Sequence, residues 1–126
     1  MRYSISILVL VFLAGAVTSV SAHHSFGAQY DSDKPVLLQG IVTRVDWTNP
    51  HARFYIDVED ATGEIINWNM ELSSPNILKR NGWNRGSLEV GDVVAVQGSM
   101  ARDGSKMASA LVVALADGRR IFSRGD

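Results

Sequence analysis

Two stretches of strict two-residue alternation, joined by a short turn, restrict this chain more than any other feature. From Ala52 to Val58, the apolar residues Ala52, Phe54, Ile56 and Val58 alternate with Arg53, Tyr55 and Asp57, and His51 precedes them in the same phase. Successive side chains of an extended backbone point to opposite faces, so this is the pattern of a half-buried strand. Asp60-Ala61-Thr62-Gly63-Glu64 follows as a hairpin loop. The chain then returns with Ile66, Trp68, Met70 and Leu72 on one face and Asn67, Asn69 and Glu71 on the other. A slip of one residue would turn a whole apolar row to water, so the register is specified: Arg53 opposite Glu71, and Tyr55 opposite Asn69.

The remaining elements follow from local signals. Val36 to Trp47 is rich in β-branched and apolar residues and contains Gly40, where a bulge or sharp bend fits. Thr48-Asn49-Pro50 breaks it, because proline restricts its predecessor and cannot donate to a ladder. Ser74 before Pro75 predicts a helix start and Gly82 its stop, a helix of about two turns. Leu88 to Asp92 reads as a turn feeding a fourth strand, Val93–Gly98. Asp103-Gly104 turns the chain into a fifth, Met107–Leu115, and Asp117-Gly118 is a further turn before Ile121 and Phe122. Three strands, a short helix and two strands predict an all-β fold. The compact solution is a small five-stranded barrel of the oligonucleotide/oligosaccharide-binding (OB) type, with the helix between strands three and four closing one end.

The N-terminus reads as an address. Arg2 precedes an apolar run from Ile5 to Val17, too short for the roughly 20 residues of a spanning helix but suited to a secretory signal. Val20-Ser21-Ala22 offers small residues at the positions a signal peptidase reads. Cleavage after Ala22 predicts a periplasmic or secreted protein of 104 residues with no stable membrane anchor. It would comprise an N-terminal segment (23–35), a barrel domain (36–122) and a short tail (123–126). With Arg2 removed the charge is −2, and this near balance argues against nucleic acid as a partner. The absence of cysteine excludes disulfides, thiol nucleophiles and thiolate metal sites.

Several short motifs together resemble an uncharacterised family of exported bacterial proteins. They are Ala22-His23-His24-Ser25-Phe26, Lys34-Pro35-Val36, Trp47-Thr48-Asn49-Pro50-His51, Ser74-Pro75-Asn76, Gly82-Trp83, Gly91-Asp92 and Asp117-Gly118-Arg119. The likeness runs from about Ala22 to Phe122 and departs at Ala52, where that pattern often carries a bulkier residue. It implies a periplasmic or secreted address and brings no activity. Element order and the Gly91-Asp92 turn add a looser likeness to small periplasmic OB-fold proteins.

Two candidate sites emerge. The first is the outer face of strands two and three: Arg53, Tyr55, Asn67, Asn69 and Glu71, with Trp47 and Asn49 nearby. Amides, a phenol ring and a guanidinium can bind and stack on a polar, ring-bearing small molecule or a protein partner, although Arg53 and Glu71 also read as an ordinary cross-strand ion pair. The second uses all three histidines. Cleavage after Ala22 would give His23 a free α-amine beside its imidazole, and with His24 or His51 this offers a nitrogen set suited to copper(II). No Gly-x-Ser-x-Gly elbow or Gly-x-x-x-x-Gly-Lys loop is present, so the sequence points to a binding module rather than an enzyme.

Overall fold

The computed structural model describes residues 23–123, with side chains from Phe26 to Ile121. The expected signal (1–22) and the end of the tail (124–126) lie outside the described residues. The elements are α1 (His23–Gln29), β1 (Tyr30–Asp46), β2 (Arg53–Glu59), β3 (Ile65–Glu71), α2 (Pro75–Arg80), β4 (Val93–Ala101), β5 (Met107–Leu115) and β6 (Arg120–Ser123). Among the described residues no helix is long and apolar enough to cross a membrane.

The strands bond in the order β3-β2-β1-β4-β5-β6, and a parallel contact of Asn69–Glu71 with Met107–Ser109 joins β3 to β5. That contact closes β1, β2, β3, β5 and β4 into a ring, the five-stranded barrel expected. β6 is an addition, pairing with β5 after the Asp117-Gly118 turn. Two boundaries also move outward. β1 begins at Tyr30, not Val36, because its first half pairs with β4 (Tyr30↔Ala101, Val36↔Gly98), which in turn runs on to Ala101.

The β2–β3 register is the predicted one, with Arg53↔Glu71, Tyr55↔Asn69 and Asp57↔Asn67. Phe54, Ile56, Trp68, Met70 and Leu72 enter the core with Val42, Val94, Val96 and Val113. The irregularity of β1 against β2 lies not at Gly40 but between Val42 and Arg44, where Thr43 is an extra residue. Gly40 serves a different purpose: a Cβ there would run into the Asp57 carbonyl oxygen, so the strands approach too closely for a side chain.

α2 forms as its sequence dictates. The Ser74 side chain accepts a hydrogen bond from the Ile77 amide at the N-cap. At the other end Gly82 adopts φ 88°, the left-handed conformation glycine tolerates. Its amide donates to the Lys79 carbonyl, and that of Trp83 to the Leu78 carbonyl, a Schellman termination. Leu78 and Trp83 are thereby brought together in the core.

Gly40→Ala is expected to cost about 1–3 kcal/mol through forced overpacking, read as a lower urea midpoint. Gly27→Ala, in α1 with nothing within 4 Å of the added carbon, is expected to be neutral or stabilising by up to about 1 kcal/mol.

Candidate functional site

Glu71 ends β3 on the row that alternation assigns to solvent, yet it is only 4% exposed. This corrects the expectation of an outward, solvated carboxylate. Tyr30, the first residue of β1 and itself buried, reaches Glu71 from 41 residues away. Ser109, fully buried, is its register partner on β5. A carboxylate removed from water is costly unless its oxygens are paired, and Glu71 is paired three times. Its Oε2 accepts from the Tyr30 hydroxyl at 2.7 Å and from Arg53 Nη2 at 2.6 Å, and its Oε1 lies 2.8 Å from His51 Nδ1.

Arg53 and Tyr30 are held in turn. Arg53 Nη1 donates to Asn69 Oδ1 at 3.2 Å and to the Met107 sulfur at 3.6 Å, so the guanidinium spans three strands. It is therefore a half-buried network member rather than an ordinary surface ion pair. The Tyr30 ring lies 5.5 Å from that of Phe26 in α1. Arg102, after β4, donates its Nε to the Gly27 carbonyl at 2.6 Å and its amide to the Gln29 carbonyl at 2.9 Å. α1 is thus tied down where the chain enters the Glu71 cluster. Burial, and then the hydrogen bond to the Glu71 carboxylate, hold the Tyr30 phenol well above the ordinary tyrosine range. In the neutral imidazole of His51, the bond to Glu71 places the proton on Nδ1 and leaves the lone pair on Nε2. The side chain is 42% exposed.

Farther along β2 and β3 the outer face is polar and largely satisfied from within. Asn67 Nδ2 donates to Asp57 Oδ1 at 2.7 Å and Thr43 Oγ1 at 3.2 Å. The Arg44 guanidinium lies 5.1 Å from the centre of the Tyr55 ring while its Nε and Nη2 engage Asp46, each at 2.8 Å. Lys106, just before β5, lies 5.3 Å from the Trp68 ring centre.

Of the seven residues expected on this face, Arg53, Tyr55, Asn67, Asn69 and Glu71 come together. Asn49 is exposed in the β1–β2 loop, and Trp47 packs against the core beside Ala52, Leu72, Trp83 and Leu88 rather than over the face. Tyr30 and Arg44 join the site unannounced. Only the extra residue Thr43, which turns Arg44 outward, could have revealed one of them. Of the metal candidates, His51 is placed as above. His23 and His24 open α1, and their side chains lie outside those described. Among the described residues no group of three or more His, Asp or Glu side chains could hold a metal ion.

A closed five-stranded ring with a helix between β3 and β4 defines an OB-type barrel. Residues 10–110 match the family of unknown function DUF6152, and the chain belongs to that family. No curated protein matches it in sequence. Among solved structures it is similar to Rim1, a mitochondrial single-stranded DNA binding protein of S. cerevisiae. The TM-score is 0.50 at 16% identity, covering 66% of this chain and 94% of that one. The expectation that excluded nucleic acid as a partner is corrected by this likeness. The barrel is one that a single-stranded DNA binding protein uses, and a near-neutral total charge does not describe how charge is arranged on one face.

The raised Tyr30 pKa has a definite sign. The unfolded chain loses this proton near pH 10, whereas the folded one retains it to higher pH, so stability is intact below about pH 10 and falls as the pH rises beyond it. Urea unfolding at pH 8 and pH 11 is expected to show this decline in the wild type and a smaller one in Tyr30→Phe. Equal declines would count against the assignment. At pH 8, Tyr30→Phe is expected to cost about 1–3 kcal/mol for the lost bond to a charged acceptor.

Proposed function

We propose that this chain is an exported binding module that takes a polar, ring-bearing ligand on the outer face of β2 and β3. The observation that carries this reading is the fixed position of Arg53. Glu71 and Asn69 hold its guanidinium on the same face of β2 as Tyr55, over which Arg44 lies, so little side-chain freedom is lost on binding. A phenol ring with one guanidinium over it and a second fixed on the same face suits a flat ligand that carries hydrogen-bond acceptors. The likeness to Rim1 supports a single-stranded oligonucleotide as the first probe, since stacking and backbone contacts are how such ligands are held. A short oligosaccharide is the second.

Fluorescence anisotropy with a labelled oligothymidylate and calorimetry with chitotriose test the reading. At least one probe is expected to bind, with Tyr55→Ala weakening it about tenfold or more and leaving the thermal midpoint within a few degrees. Binding indifferent to Tyr55→Ala, or no binding of either probe, counts against the face.

A second reading, copper binding, is favoured by one contact: His51 Nδ1 against the buried Glu71 carboxylate. A carboxylate behind an imidazole fixes its tautomer and its ring orientation, the usual support of a metal-bound histidine. His51 Nε2 would serve with the amine and imidazole of a terminal His23, or with His24. The site would select copper(II) over harder cations by its nitrogen donors. Copper(II) titration is expected to show affinity at least tenfold weaker when one extra residue precedes His23, and weaker again for His51→Ala. Equal affinities would remove the terminal histidine from the site.

A further inference from the structure

A second concave site lies away from the β2–β3 face, where the C-terminal end of α2 meets the β5–β6 hairpin. Asn81, Gly82 and Trp83 follow α2, Gly86 and Ser87 come from the next loop, and Leu115, Arg119, Arg120 and Ile121 come from the hairpin. Together they line a groove of about 430 Å³, within the size range of small-molecule sites.

Its floor and rim differ in character. Trp83 is buried in the core, and Leu115 and Ile121 pack against that core while staying partly exposed, so a small apolar strip lies within a lining that is mostly polar. The rim is rich in donors. Arg119 Nε is bonded to Asp117 Oδ2 at 2.6 Å, and its two terminal nitrogens have no partner among the described residues. Arg120 is exposed and has no ion pair among the described residues. Ser87 Oγ accepts the Asn84 amide at 2.9 Å, which leaves its hydroxyl proton to be donated. Asn81 adds a carboxamide. None of the nine lining residues is acidic.

We infer that this groove binds a small organic phosphate, with the phosphate at Arg119 and Arg120 and the edge of an apolar ring or chain on Leu115 and Ile121. Two guanidinium groups, a hydroxyl and an amide supply more donors than one carboxylate accepts, and match the several oxygens of a phosphate. The partly exposed Leu115 and Ile121 add an apolar contact that favours a phosphate ester over the inorganic ion. The inference is independent of the β2–β3 face: either site can fail while the other stands.

Amide shifts of the ¹⁵N-labelled protein, titrated with phenyl phosphate, inorganic phosphate and phenol, test it. Phenyl phosphate is expected to give saturable shifts at Gly82, Gly86, Ser87 and Ile121, with inorganic phosphate and phenol each at least tenfold weaker. Arg120→Ala is expected to weaken phenyl phosphate about tenfold or more, and Lys34→Ala to leave it unchanged. Sedimentation with phosphatidylglycerol vesicles separates the sources of such a group. Co-sedimentation lost in Arg120→Ala points to a lipid headgroup, whereas phenyl phosphate binding without co-sedimentation points to a free ester. Absence of saturable shifts at those amides, phenol binding as tightly as phenyl phosphate, or wild-type affinity in Arg120→Ala overturns the inference.

Discussion

The buried carboxylate of Glu71 is the interaction on which one end of this barrel depends. An ion taken out of water requires partners on its oxygens, and here they come from Tyr30 at the start of β1, His51 ahead of β2 and Arg53 within β2. β3, which carries Glu71, is also the strand that closes the ring through β5. One charge therefore joins the entry of the chain, the first hairpin and the closing contact. Replacing any partner with an apolar residue would leave a desolvated charge short of a bond, so the members of the cluster constrain one another.

The same arrangement governs what the outer face offers. Its amides and cations are engaged with neighbours before any ligand arrives, Asn67 with Asp57 and Arg53 with Glu71 and Asn69. Such a face is rigid and polar, and it recognises by fixed geometry more than by adaptation. The groove beside α2 is organised differently, with two arginines beside a small apolar strip of Leu115 and Ile121. The barrel thus presents two surfaces of different chemistry, one whose cations are engaged within the face and one where, among the described residues, Arg119 is paired with Asp117 and Arg120 has no ion pair.

Much of this was legible in the residues because local rules sufficed. The β2–β3 register followed from matching apolar rows, and α2 from Ser74, Pro75 and Gly82, since alternation and capping act over a few residues. Where long-range contacts decide, the reading was incomplete. Alternation places Glu71 on the outer row correctly, but it cannot see that Tyr30 will cover that row. The early start of β1 and the late end of β4 support one another by pairing, and neither Asp31 to Lys34 nor Ser99 to Ala101 announces a strand alone. Trp47 is another such case: its place against Trp83 and Leu88 is set by elements that lie well beyond it in the chain.

The extra residue at Thr43 has a consequence that concerns counting rather than chemistry. From Val36 to Val42 the even-numbered residues of β1 face the core, and from Val45 the odd-numbered ones do, opposite Phe54. Arg44 is outside, opposite Tyr55, because the strand carries one residue more than its neighbour. The phase of the outer surface is therefore written in the length of a segment and not in the identity of its side chains. Relatives that keep every motif but differ here by a single residue would share the barrel while presenting a different face.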